Sequence, residues 1–544
     1  MNYIFVECLF ISAVLIALWC IRLFTKRWKN ILFYILLSSV ALLSVSWFFE
    51  SVMGVAKTLY LLVPYSIFII SSYFVYGLIK PKSNPREGED IFKLESESGT
   101  LEFYYPRDNF LVLGGAGSGK TASIGKPIME QFIKFGWAGF IYDFKNYDYT
   151  QTAWNLMQKY GYPYKFYYVN FTDMNRTYRF NILDKRVITT EAALLQAMDD
   201  FLQAMKSKKA EENEWFQAAL GLLRGIAIVF YHFEGDYKKY CTLPHMLAFT
   251  LMASPKELTT FLRNDTSASM MASGFLGSAG SDKTQSSIIF TLNNMLAGIA
   301  TNKNICYVLT GDDFVFDLVD PEAPKMFAVS NDYALQGIIS PIVAMLVPIA
   351  SRRIKFGNRV RFAFVLDEMT TFKVNDFEGM PSVLREFGAC FLILTQSITK
   401  FDKLYGKEDR SSILANCANL FIGRTKDPEA LKTYPLMFGK EEKVKKSMSA
   451  GSSSGRSNSS VTTSKQKEEV YDSKTFVELE TGEFILSAGD SNVKRIKTRF
   501  KRFILDEKPL PIVKLTTNRE IDNNYQNIQL DCLKLLHDLC GRGV

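Results

Sequence analysis

An α/β domain, interrupted by an all-α insertion and preceded by transmembrane helices, is the fold the sequence predicts. Three observations predict it. Apolar residues crowd the first eighty positions of the chain. A short apolar segment at 109–113 runs into a glycine-rich turn and then a helical pattern. Far downstream a second apolar segment, 362–366, ends in Asp367-Glu368, and helical periodicity fills much of the chain between.

The chain has 544 residues, 48% of them hydrophobic and 22% charged, enough for two or three domains. Its formal net charge of +8 leans towards anionic partners without deciding among them. The eight cysteines are scattered with no C-x-x-C spacing, which points to free thiols in a reducing compartment. Three histidines make a His-based metal centre a poor expectation.

Three runs, about 2–24, 31–49 and 58–79, approach or exceed the roughly 20 apolar residues that a helix needs to cross a bilayer core. The first opens MNYIFVE, carries Glu7 and is followed by no A-x-A site, unlike a cleaved signal peptide. Lys26, Arg27 and Lys29 lie between the first two runs, whereas 50–57 is neutral overall. Positive-inside logic puts the first loop in the cytoplasm, and three crossings then place everything after Lys80 there too. The expectation is a multi-pass protein of the inner (cytoplasmic) membrane with its catalytic part on the cytoplasmic side. A buried hairpin of a soluble domain is the alternative.

After the strand NFLVL comes Gly114-Gly115-Ala116-Gly117-Ser118-Gly119-Lys120-Thr121, which matches G-x-x-x-x-G-K-[ST], and then a helical run. The glycines let backbone N–H groups converge on phosphate oxygens, and the helix start adds partial positive charge. In this pattern Lys120 reaches the β- and γ-phosphates and the Thr121 hydroxyl sits on Mg²⁺. ATP and Mg²⁺ are thus the expected cofactors. A flexible glycine turn is the bland reading. At the end of FAFVL, Asp367 is the second expected magnesium ligand and Glu368 the catalytic base. A further strand, 390–394, ends in Thr395-Gln396-Ser397. Gln396 is either a sensor of hydrolysis or a strand cap. Arg385 is either a surface charge or a finger for the next subunit's site.

Between the two motifs, Leu194, Leu195, Met198, Phe201, Leu202 and Met205 share one helical face, a second helix spans 213–230, and Ser254-Pro-Lys-Glu257 reads as a capping box. The resulting division is 1–82 transmembrane, 83–186 first nucleotide-binding part, 187–299 all-α insertion, 300–515 second nucleotide-binding part, and 516–544 helical tail. Within the fourth segment, Ser-rich 447–464 reads as a mobile loop.

With these residues in place the chain resembles the type IV secretion-system coupling proteins, the TraG/TraD-like hexameric ATPases of conjugative DNA transfer. The resemblance runs from the apolar start through GGAGSGKT, IYDFKN at 141–146, RFNIL at 179–183, VLDE, LREFGACFLILTQS and GEFILSAGD. It implies a RecA-like P-loop NTPase, a relaxase–DNA substrate, a secretion channel as docking partner and a homo-hexamer. It also implies that Arg385, eleven residues before Gln396, contacts ATP across the subunit interface. IYDFKNY stands where the family has D-P-K-G-E, which leaves the roles of Asp143 and Lys145 open.

Arg495, Lys497, Arg499 and Lys501 alternate along one face of a strand. They follow DNA phosphates in one reading and guard a sheet edge in the other. Two rival functions share much of this sequence. An FtsK-like chromosome translocase has the same anchor and motor, although its long linker and winged-helix end are not apparent here. An adaptor that recruits protein effectors without hydrolysis is the other.

Overall fold

The computed structural model describes residues 90–206, 213–453 and 456–541. The three apolar runs expected to span a membrane lie outside the described residues. Thirteen strands appear in chain order: β1 (Phe92–Ser96), β2 (Gly99–Phe103), β3 (Phe110–Leu113), β4 (Ala138–Asp143), β5 (Lys165–Asn170), β6 (Lys325–Ser330), β7 (Phe362–Leu366), β8 (Ala389–Thr395), β9 (Asn419–Gly423), β10 (Lys440–Ser453), β11 (Arg456–Glu469), β12 (Glu483–Ser487) and β13 (Arg495–Arg499).

Nine of them form one sheet in the order β13-β12-β9-β3-β8-β7-β4-β6-β5. From β9 to β5 all neighbours run parallel, while β12 and β13 add an antiparallel edge. The central strands FLVL, FAFVL and ACFLILT are buried at every position, as a parallel sheet covered on both faces requires. Phe364 and Phe391 stack across β7 and β8 with ring centroids 4.5 Å apart. Each such ring contributes about 2 kcal/mol by leaving water.

One described helix, Tyr333–Arg352, is long and apolar enough to cross a bilayer. Residues 339–351 are all buried, which identifies it as a core helix of the folded domain. Its last turn is tied down: Arg352 pairs with Asp200 and Arg353 with Asp317.

Between β5 and β6 the chain is helical: Glu191–Met205, Glu214–His232, Leu243–Met252, Pro255–Arg263, Asp282–Ala300 and Lys303–Leu309 are the main elements. Side-chain caps explain where they start. Thr190, Asn213, Thr242, Ser281 and Asn302 each accept a backbone N–H of the first turn, and Ser254 with Glu257 forms both halves of a capping box. The helical run continues past 299 through Lys303–Leu309. The closing helix Asn518–Cys540 packs on this group, with Lys303 to Asp522 at 2.6 Å and His245 to Asp531 at 3.3 Å.

The insertion enters and leaves through a narrow neck. Phe180 donates to the Val308 carbonyl at 2.9 Å, and Asp313 donates its backbone N–H to the Arg179 carbonyl at 2.9 Å. Gly311 allows this approach, because a Cβ there would overlap Arg179 Cβ and sit 2.8 Å from the Arg179 carbonyl carbon. Gly311→Ala is therefore expected to destabilise the protein by about 3 kcal/mol, read as a lowered thermal unfolding midpoint.

The Ser-rich stretch at 447–464 departs from its expectation. It belongs to the hairpin β10–β11, paired from Lys440↔Glu469 to Ser453↔Arg456. Pairing satisfies the backbone groups that face the partner strand, and opposite charges meet at Lys440↔Glu469 and Glu442↔Lys467.

Candidate nucleotide site

Parallel register decides where the two motifs meet. β3 and β7 flank β8, with Leu113 beside Thr395 and Leu366 beside Ile393. The strand ends that carry Gly114, Gln396 and Asp367 therefore lie side by side on the C-terminal edge of the sheet, where α/β proteins place their ligand crevices.

From Gly114 the chain turns sharply, with Gly117 at φ 72° and Gly119 at φ 94°, a region that glycine enters without steric cost. The loop is pinned from several sides. Gly115 donates to the Arg424 carbonyl at 2.7 Å, Gly482 to the Ser118 carbonyl at 2.9 Å, and the Thr481 hydroxyl to the Gly117 carbonyl at 2.9 Å. Lys120 folds back over the loop, its Nζ 2.5 Å from the Gly114 carbonyl and 3.3 Å from that of Gly115. Burial lowers its pKa, against the opposing pull of Glu368. The first helical turn, Lys120–Gly125, is a π-turn that continues into Lys126–Lys134. A cleft of about 430 Å³ opens beside it, lined by Gly117, Gly119, Ser123, Thr481 and Gly482.

Asp367 is buried, and its Oδ2 has no hydrogen-bond partner among the described residues. Desolvation pushes its pKa up to about 7; Lys145 pulls the other way, and Asp143 and Glu368 add to the rise. An unpartnered carboxylate oxygen of this kind suits a cation. Glu368 adopts φ 50°, a left-handed conformation for a non-glycine residue. Its Oε1 accepts from the Gln396 backbone N–H at 3.3 Å, the Thr370 hydroxyl at 3.4 Å and Lys400 Nζ at 3.4 Å. Lys400 also donates to Gln396 Oε1 at 2.8 Å.

Lys120, Thr121, Asp367, Glu368 and Gln396 thus gather on one edge. Arg385 does not join them within this chain. It lies at the opposite end of β8, 3.1 Å from Asp108, which precedes β3. The basic face of β13 behaves differently from an open cationic surface. Lys497 pairs with Glu483 at 3.4 Å, Lys501 with Glu95 at 3.6 Å, and Arg499 with Glu97 and Glu480, while Arg495 lies over the Phe438 ring. β13 is an edge strand, and β1–β2 adjoins it through Ser96↔Phe500.

Two neighbours of the site, Arg424 and Lys400, carried no clear sequence signal, and a third, Lys145, had its role left open. Arg424, at the end of β9, holds its guanidinium 3.7 Å from where a Gly117 Cβ would stand. Lys400 follows the cap residue Ser397. Lys145 Nζ reaches Thr121 Oγ1 at 3.0 Å. Buried Asp143 shapes the turn beneath Lys145, accepting from Lys145 N, Tyr149 N and Thr150 N.

Residues 100–479 match the family described as the type IV secretion-system coupling protein DNA-binding domain. The chain belongs to the type IV secretion-system coupling protein family. Solved coupling proteins share its fold. The bacterial conjugative coupling protein TrwBdeltaN70 in its unbound monoclinic form superposes with a TM-score of 0.61 at 18% identity, over 79% of this chain and 93% of that one. Plasmid coupling protein TrwB in complex with ADP and Mg²⁺ gives 0.60 at 18% identity, over 80% and 94%. TrwB with the non-hydrolysable ATP analogue ADPNP gives 0.58 at 18% identity, over 76% and 89%. No curated protein matches this coupling protein by sequence comparison.

Proposed function

We propose that this coupling protein is an ATPase that joins a relaxase–DNA substrate to a type IV secretion channel and drives conjugative DNA transfer. One observation carries the reading: the Gly114–Thr121 loop and the Asp367-Glu368 pair meet across β8 on one sheet edge. The TrwB complexes with ADP and Mg²⁺ and with ADPNP support the same nucleotide chemistry here.

In this reading the loop amides and Lys120 hold the β- and γ-phosphates, and the cleft beside Gly119 and Gly482 receives the nucleoside. Thr121 and Asp367 would hold Mg²⁺, which would supply positive charge against that of the phosphates. Glu368 accepts a proton from water as the water oxygen bonds to the γ-phosphorus. The bond from that phosphorus to the ADP oxygen breaks, and the proton leaves with phosphate or solvent. Gln396, hydrogen-bonded to Glu368 and Lys400, feels the departure of the γ-phosphate. Arg385, on the far edge of its own sheet, acts on a neighbouring subunit's nucleotide in a homo-hexamer. The runs at 2–24, 31–49 and 58–79 anchor the motor in the inner membrane with the ATPase in the cytoplasm. Acids already neutralise most of the β13 cations, so their role is to protect the sheet edge.

A mating assay tests the proposal. Lys120→Ala is expected to reduce transfer by about a thousandfold or more, the scale of losing a phosphate-binding cation from a transition state, with membrane fractionation unchanged. Wild-type transfer by this variant refutes the motor, and a cell-division defect in its place points to the chromosome translocase.

A further inference from the structure

Resting on the nucleotide-site reading above, we propose that Lys145 is a third cationic ligand of the nucleotide's phosphates, and that its turn carries the presence of the γ-phosphate towards the inserted helices. Lys145 Nζ stands 3.0 Å from Thr121 Oγ1, and its charge acts on Asp367 and on Lys120. Thr121 and Asp367 are the two residues assigned to Mg²⁺. A dication held by those two residues would repel the ammonium now beside them and turn it from the Asp367 carboxylate towards a terminal phosphate oxygen.

The turn at 144–147 is built to present this side chain. Beneath it the buried Asp143 carboxylate accepts from Lys145 N at 3.2 Å, Tyr149 N at 2.9 Å, Thr150 N at 2.8 Å and Thr150 Oγ1 at 2.8 Å. Asn146 at φ 46° and Tyr147 at φ 75° are consecutive non-glycine residues in the left-handed region. Such a pair persists where its surroundings over-determine it, and such places cluster at ligand clamps and switches.

The surroundings belong to the path into the insertion. Asn146 Oδ1 accepts from Asn170 Nδ2 at 2.7 Å, and the Tyr147 hydroxyl donates to the Arg176 carbonyl at 3.1 Å. Asn170 ends β5, and its own Oδ1 organises the next turn through Thr172 N at 2.7 Å and Asp173 N at 3.2 Å. A movement of Lys145 from Thr121 to a phosphate oxygen therefore pulls on residues 170–176, through which the chain leaves the sheet for the inserted helices.

Binding experiments without turnover test this. Calorimetry on the full-length protein in nanodiscs compares Mg·ADP with Mg·ADPNP for wild type, Lys145→Ala and Lys145→Arg. Lys145→Ala is expected to lose about tenfold in ADPNP affinity, one charge-assisted contact, and to keep ADP affinity within about threefold. Lys145→Arg recovers most of the loss. ADPNP slows amide exchange at 170–176 in wild type but not in Lys145→Ala. Equal loss for both nucleotides, or unchanged ADPNP affinity, overturns the role of Lys145 while wild-type binding keeps the nucleotide site. A wild type that binds neither nucleotide removes both readings.

Discussion

Glu368→Gln is expected to lower ATP turnover by about a thousandfold, within the range seen when a general base is lost, while leaving Mg·ADPNP affinity nearly unchanged. The expectation comes from what the substitution keeps. Glutamine has the same shape, and its Oε1 still accepts from Gln396 N, Thr370 and Lys400, which hold the carboxylate at 3.3, 3.4 and 3.4 Å. It also fits the left-handed backbone that Glu368 already occupies at φ 50°. What disappears is the negative charge and the ability to take a proton. Single-turnover phosphate release separates this from a binding defect. Turnover within tenfold of wild type would assign the base to another group. Lys400→Ala, which removes one tether from Glu368 and one from Gln396, is expected to have a smaller effect because Gln396 N and Thr370 remain.

The parts of this site that were legible in the sequence are local ones. FAFVL at 362–366 reads as a buried strand because every residue is apolar and a carboxylate pair ends it, and β7 has those bounds. Ser254 and Glu257 signal a helix start three residues apart, and both halves of the box form. Illegible features depend on topology. Nothing near Lys145 announces that β4 ends beside β7, which is what brings its ammonium to Thr121. Nor does the basic face of β13 reveal that Glu95 and Glu97, some four hundred positions earlier, lie against it. A strand read alone shows its charges but not their partners. The Ser-rich segment fails for a related reason: composition reports the lack of an apolar face, whereas a hairpin is held by backbone pairing with a strand that composition does not see.

Asp367→Asn is expected to do two opposite things, and the sign of each follows from burial. The carboxyl is raised from 3.8 to about 7 by desolvation first, then by Asp143 and Glu368, with Lys145 opposing. Folded protein thus holds a proton that the unfolded chain releases between about pH 4 and 7. Stability contributed by this group falls as pH rises through that window and stays low above it. About three pKa units correspond to about 4 kcal/mol. The substituted amide leaves one buried polar atom without a partner, which costs about 1–2 kcal/mol, so the net gain at pH 8 is about 2 kcal/mol. At pH 4, where the wild-type carboxyl is neutral, the variant should unfold slightly lower, by the cost of about 1–2 kcal/mol for its unpartnered amide. At pH 8, without nucleotide, the variant should unfold several degrees higher. Adding Mg·ADPNP is expected to reverse the order, because only the wild-type carboxylate draws the metal and gains stability by binding. The same proton makes wild-type Mg²⁺ affinity fall about tenfold per unit below pH 7, since the metal has to displace it. A variant less stable than wild type at pH 8 without ligand would show that Asp367 is held by partners in the fold and is not kept free for a cation.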